Sequence, residues 1–251
     1  MRDSQVSLAV NLNSSKANQF KNPAHTLLEG ITHSDISLSP EEKYCNEEMF
    51  WHSTCTEYDS KRFYKKIKLS KLKISHPLEL FLNKWLQDEI SHANGFIKIY
   101  STIYNQDEVF VREKLDSRLS DFSMIDDFFE DEFKLCLLLA YDEIVTTHVY
   151  HRSIPFYENI GSSKFGLWIK RIKTDEARHF VGVIKILQKY HGSRRSEVEK
   201  ILNEIIKIDS NIEEYKATFV LDHSCPEFPL SQDELTSICV KTILMKLRQK
   251  G

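Results

Sequence analysis

The sequence predicts an all-α protein, and three observations carry that expectation. Glycine occurs only 7 times in 251 residues, beside 6 prolines. The usual glycine share is roughly 7%, so the chain lacks the turn formers of a sandwich, propeller or doubly wound sheet. Its 41% hydrophobic and 28% charged residues support a buried core and exclude a disordered tail. Long stretches place apolar residues at alternating intervals of three and four, the period of an amphipathic helix.

The elements follow in order. Residues 1–38 are polar and aperiodic and predict a flexible N-terminal extension or one draped over the surface. Ser39, Pro40, Glu41 and Glu42 form a helix start, and a first helix runs from about 40 to 68. A basic run (Lys65, Lys66, Lys68, Lys71, Lys73) reads as its solvated end, or as a landing patch for an acidic partner. Pro77 opens a second helix to about 105, and an acidic connection spans 106–122. Ser123 and Asp126 resemble a capping box that starts a third helix reaching Ile154 and Pro155. After a turn at Asn159–Ser162, a fourth helix covers 163–191. Two amphipathic helices near 194–208 and 232–248 complete the chain, with an irregular stretch at 217–229 between them. The expected domain is 39–251, with a core over about 40–191 and accessory helices over about 194–248.

Composition also narrows the partners. A formal net charge of −3 gives no general reason to expect nucleic acid. No apolar run reaches 18 residues, so no membrane span is expected, and the N-terminus does not resemble a signal peptide. The five cysteines (Cys45, Cys55, Cys136, Cys225, Cys239) are odd in number and lack CxxC spacing. They read as reduced thiols, and the expected location is the cytoplasm.

The chemistry is concentrated in a repeated motif. Residues 88–92 read Asp-Glu-Ile-Ser-His and residues 175–179 read Asp-Glu-Ala-Arg-His. Two copies of Asp-Glu-x-x-His are expected by composition in about one chain in a thousand. Each copy lies on an apolar seam: Phe81, Trp85, Glu89, His92, Phe96, Ile99 and Ile103 in the second helix, and Phe165, Ile169, Ile172, Glu176, His179, Val183 and Ile186 in the fourth. A carboxylate on such a seam is costly unless it is paired or binds a metal. Glu143 stands 33 residues before Glu176, and Glu57 stands 32 before Glu89. In two antiparallel hairpins these intervals place each Glu level with its Glu-x-x-His, which is the donor set of a dinuclear carboxylate site. Glu48 is the rival to Glu57 on the first helix. His148 and His151 are out of phase with the Glu143 seam and read as structural, Trp85 and Trp168 read as packing residues, and Cys55 and Cys136 as small core residues.

With these residues the chain resembles the ferritin-like non-haem di-iron oxygenases and oxidases over roughly 40–190. It is most similar to the soluble acyl-carrier-protein desaturases, through Trp85 to His92 and Glu143 to Thr146, and to the p-aminobenzoate-type N-oxygenases. The resemblance implies a four-helix bundle in which 106–122 is the single long crossover. It implies Glu57, Glu89, His92, Glu143, Glu176 and His179 as ligands of two iron ions, with manganese as the substitute. It also implies that Asp88 and Asp175 each orient the histidine of the opposite motif, and that Thr146 assists at the oxygen-binding face. The implied activity is O₂-dependent hydroxylation or desaturation of an acyl or other apolar group, with an electron donor such as a ferredoxin system. An acyl carrier protein would present the substrate, and a monomer or homodimer is expected. Phe96 stands where ribonucleotide reductases carry a radical tyrosine, which disfavours that subfamily. Ile172 stands where the N-oxygenases add a histidine, so amine N-oxygenation is the alternative activity. An iron-handling protein without organic substrate is the rival of a different class.

Overall fold

Most helix starts among the described residues are set by side-chain oxygens that take up free N–H groups. A computed structural model describes residues 26–211, 217–220 and 230–249. Among them every regular element is helical: α1 (Pro40–Cys45), α2 (Glu47–Leu69), α3 (His76–Tyr104), α4 (Glu108–Asp116), α5 (Glu132–Asn159), α6 (Ser163–Tyr190) and α7 (Val198–Asp209). Near the C-terminus, α8 (Gln232–Leu235) continues through a π-helical stretch (Thr236–Lys241) into α9 (Thr242–Arg248). Ser39 caps α1 in a capping box with Glu42, Ser75 caps α3, Ser162 caps α6, and Ser231 forms a second box with Glu234.

Four boundaries depart from expectation, each for a local reason. The first helix is not continuous over 40–68: Asn46 breaks it, its amide donating to the Glu42 carbonyl at 2.7 Å and so ending α1. The acidic connection 106–122 contains α4, capped by the Asp107 carboxylate at the Val109 N–H (2.6 Å). Only Val111 and Leu115 of α4 are buried, a stripe too narrow to read through the surrounding charges. The capping box at Ser123 and Asp126 does not form. Ser123 gives its N–H to Asp121 (2.9 Å), residues Ser123–Phe129 are 3₁₀-helical, and α5 starts later under the Asp131 cap. Helix α5 also runs through Pro155 to Asn159. That proline is exposed, so water can reach the carbonyl that loses its partner.

Helices α2 and α3 pack against each other over most of their lengths, as do α5 and α6, and α3 meets α6 to join the pairs. The links 70–75 and 160–162 are short enough to turn each pair back on itself. Two apolar clusters result. One gathers Phe63, Trp85, Leu135 to Ala140, Val183 and Leu187 with the C-terminal helices. The other gathers Phe50, Phe96, Tyr100, Tyr150, Tyr157, Trp168 and Ile172. Along α3 the seam passes from Trp85 in the first cluster to Phe96 in the second, and Glu89 and His92 fall between them.

Residues 1–25 of the expected N-terminal extension lie outside the described residues. Residues 26–38 are draped on the fold, with Leu28 and Ile31 buried in the second cluster. The Ser37 N–H donates to the Ile160 carbonyl and the Ser37 hydroxyl to that of Asn159, both at 3.0 Å. This close approach requires Gly161: its φ is +145°, and a Cβ there would lie 2.0 Å from the Asp35 carbonyl oxygen. Gly161→Ala is expected to destabilise the fold by about 1–3 kcal/mol, read as a fall in Tm, whereas Gly192→Ala, with open space around it, is not.

Candidate metal centre

The six predicted donors converge between the two apolar clusters. Helix α2 supplies Glu57, α3 supplies Glu89 and His92, α5 supplies Glu143, and α6 supplies Glu176 and His179, all buried. They form two groups that could each hold an ion: Glu57, Glu89, His92 and Glu176, and Glu89, Glu143, Glu176 and His179. Within each group the donor atoms lie within 4.8 Å of one another. Glu89 and Glu176 belong to both groups, whereas each group has its own histidine and its own outer glutamate. Glu48 is exposed, which leaves Glu57 as the α2 donor.

The imidazoles are oriented alike. His92 turns Nδ1 toward Glu176 (2.9 Å), Glu57 (3.6 Å) and Glu89 (3.9 Å). Its Nε2 lies 3.6 Å from Asp175. His179 turns Nδ1 toward Glu176 (3.0 Å), Glu143 (3.2 Å) and Glu89 (3.3 Å), and its Nε2 lies 3.2 Å from Asp88. Each Asp thus faces the histidine of the other motif, and a proton on Nε2 leaves the Nδ1 lone pair pointing inward. Arg178 spans the two aspartates at the surface, 2.9 Å from Asp88 and 3.0 Å from Asp175.

The outer glutamates have partners that sequence reasoning missed. Trp85 Nε1 donates to Glu143 Oε1 at 2.6 Å, and the Tyr150 hydroxyl donates to Glu57 Oε1. Trp85 sits on a predicted seam, where a ring is ordinarily core, and Tyr150 is likewise a buried ring of α5, so position alone gave no signal of a polar role. Thr146 donates to the Asp142 carbonyl (2.9 Å) and lines the cavity at the centre. His148 is half-buried and His151 exposed, and neither belongs to the donor groups. Cys55 and Cys136 are buried core thiols.

Four carboxylates in one dry site cannot all stay ionised without countercharge. Burial, reinforced by Glu176, pushes the Glu89 carboxyl well above its usual range, and burial pushes Glu143 up to about 8. Burial alone would also raise Glu176, but His92 and His179 face it and hold it below the usual value. Burial would lower both imidazoles, yet Glu176 and Asp175 around His92, and Glu143 and Asp88 around His179, raise them well above 6.5. Glu57 Oε2, Glu89 Oε1, His92 Nδ1 and Glu176 Oε1 are buried without a hydrogen bond. These are the atoms that face one another in the first group. A set of converging, unsatisfied oxygen and nitrogen donors fits divalent cations.

A cavity of about 10 Å³ adjoins the donors, lined by Thr56, Asp142, Thr146 and Phe219 with the four glutamates. That is room for about one water molecule. Phe219 belongs to a strap, 217–220, from the stretch expected to be irregular; residues 221–229 of that stretch lie outside the described residues. The Phe219 ring stacks on Phe63 (4.2 Å between centroids) and meets Trp85 edge-on (6.1 Å). Two carboxylates hold the strap: Asp142 accepts from the Val220 N–H at 2.9 Å, and Asp59 accepts from the Thr218 N–H at 3.2 Å and from its hydroxyl. Asp59 is fully buried and also meets Arg62 (2.7 Å), Arg118 (3.2 Å) and Ser120 (2.9 Å).

No known protein family, curated protein or solved structure matches the chain.

Two outcomes are expected. Asp59→Asn removes the charge that pairs with two half-buried guanidinium groups, those of Arg62 and Arg118, and should cost about 1–3 kcal/mol in chemical unfolding. Burial raises the Asp59 pKa, but Arg118, Thr218 and Arg62 outweigh that and hold it below the usual value. Its contribution is therefore present above the unfolded pKa and lost as pH falls through the folded one, so the variant should show the flatter acid limb. Cation uptake at pH 7 should release protons, because burial pushes the Glu143 carboxyl up to about 8 in the free site; a pH-stat titration with Mn²⁺ that shows no release would contradict this.

Proposed function

We propose that the chain is an O₂-dependent oxidoreductase built on a dinuclear non-haem metal centre, iron being the preferred metal and manganese the substitute. The observation that carries this is the sharing of Glu89 and Glu176 between two donor groups, each closed by its own histidine. Four carboxylates and two imidazoles around two positions suit iron or manganese better than a thiolate-loving metal. The arrangement supports the resemblance to ferritin-like di-iron proteins and to their four-helix bundle, with Glu57 and Glu143 as the outer ligands.

When bound, a pair of ferrous ions supplies the reduction of O₂ that C–H or N–H oxidation needs. The chain's own groups then have definite tasks. Asp88 holds the His179 imidazole by a hydrogen bond and Asp175 faces that of His92, while Trp85 and Tyr150 fix the outer carboxylates. Phe63, Phe219 and the apolar clusters exclude water. Thr146 offers a hydroxyl on the cavity wall. Hydroxylation or desaturation of an acyl or similarly apolar substrate is the first reading, with a ferredoxin-type donor and an acyl carrier as partners. Amine N-oxygenation is the alternative within the same chemistry.

The size of the cavity favours a second reading. A space of about 10 Å³ admits a water-sized molecule and no acyl chain unless Phe219 moves. An iron-oxidising protein without organic substrate needs no more room.

Anaerobic loading with Fe²⁺ and metal counting test the centre. Wild-type protein should retain two irons per chain, and Glu89→Ala and Glu176→Ala should each lose most of them. Two irons retained by both variants would overturn the proposal. Light scattering of loaded protein in air separates the two readings: a monomer or dimer that stops at about two irons per chain supports the enzyme, and a large assembly that takes up many more supports iron handling.

A further inference from the structure

The two halves of the centre are related by a near-repeat, but one pair of equivalent contacts is chemically unequal. On the α5 side, Glu143 Oε1 accepts from the Trp85 indole, and Glu143 Oε2 faces His179 Nδ1 at 3.2 Å. On the α2 side, Glu57 Oε1 accepts from the Tyr150 phenol, and Glu57 Oε2 faces His92 Nδ1 at 3.6 Å. In each case one oxygen is spoken for by an aromatic donor and the other is left for a cation. Glu57 Oε2 is buried with no hydrogen bond, so it is the donor atom the α2 position has to offer.

An indole N–H can only donate, whereas a phenol can donate or accept. The Trp85 contact is thus fixed in sense. The Tyr150 contact lasts only while the hydroxyl is turned toward Glu57, because the same oxygen can accept from another group. The ring itself has little freedom. Tyr150 is buried and stacks on Phe96, with centroids 5.8 Å apart and planes 29° apart. Phe96 is braced edge-on by Trp168 at 4.8 Å. Gly95 permits that bracing, since a Cβ at 95 would lie 2.1 Å from the Trp168 ring. A rigid ring carrying one rotatable hydroxyl therefore governs one oxygen of one ligand.

We propose that Tyr150 is a positioning residue that leaves Glu57 a single oxygen for the ion beside His92, by a contact that, unlike the indole contact of Trp85, a turn of one hydroxyl can break. This rests on the dinuclear reading above. Without the phenolic hydroxyl, Glu57 Oε1 has no fixed partner. The carboxylate then either chelates with both oxygens or swings off its position, and only the ion beside His92 feels the change. The ion beside His179 keeps Glu143 in the grip of Trp85. Loss of a group that orients a ligand typically weakens metal affinity about 10–100-fold.

The test is a titration of the full chain with Co²⁺, followed by visible absorption and by dialysis. Wild type should bind two equivalents. Tyr150→Phe keeps the ring and its stacking, and should weaken one equivalent about 10-fold or more and alter that equivalent's d–d bands. The other equivalent should keep the wild-type affinity and spectrum. Trp85→Phe should affect the complementary equivalent. A Tyr150→Phe protein that binds both ions as wild type does, or that weakens both alike, would overturn the inference while leaving the dinuclear centre standing. A wild-type chain that binds no Co²⁺ would overturn the centre itself. Should Tyr150→Phe misfold by circular dichroism, the wild type still decides: a near-ultraviolet tyrosine difference signal should accompany one equivalent only. A signal tied equally to both, or to neither, would contradict the proposal.

Discussion

Six ionisable side chains meet at one level of this molecule, and apolar side chains close in above and below them. Glu57, Glu89, Glu143 and Glu176 are each at most 6% exposed. Desolvating a carboxylate costs several kcal/mol even after the protein relaxes. The chain accepts this four times within a few ångströms, with two imidazoles as the nearest internal countercharge. Protons are a poor remedy, since they must be shared among groups whose pKa values are driven in opposite directions. The two divalent cations proposed above would relieve these conflicts together, and the surrounding structure would then serve as their housing.

The housing is built twice. Each Glu-x-x-His places a carboxylate and an imidazole one turn apart on a buried seam. Each is answered by a glutamate from the helix with which it pairs. The aspartate before each Glu reaches across to the other motif's histidine, so neither half is complete alone. Arg178 ties the two aspartates together at the surface. Rigidity comes from the apolar clusters at either end, and Phe219 closes the side where Thr146 stands. The strap bearing Phe219 is itself anchored by Asp59 and Asp142, which lie on α2 and α5 beside Glu57 and Glu143. Packing, charge pairing and the donor set are thus carried on the same few helical turns.

Much of this was legible in the chain because it is periodic. The long helices follow from seams such as Phe165, Ile169, Ile172, Glu176 and His179, and the interval of about one helical hairpin picked Glu57 and Glu143. The choice between Glu57 and Glu48 needed coordinates. Tyr44 and Glu48 share a stripe that faces solvent, a phase set by tertiary packing after the break at Asn46. The hidden parts were those fixed by distant contacts. Tyr150 meets Glu57 from 93 positions away, and Thr218 meets Asp59 from 159; no local pattern encodes either. Helix α4 was obscured for another reason, since two buried residues in nine leave almost no stripe. Likewise, the box at Ser123 is lost because the Ser123 N–H that Asp126 would accept goes to Asp121, and α5 starts under Asp131 instead.

The most direct measurement is anomalous diffraction from crystals of the full chain soaked in Mn²⁺. Two peaks should stand between Glu89 and Glu176, one against His92 Nδ1 and one against His179 Nδ1. A map with no peak at that level, or with manganese bound only at the surface, would contradict the account.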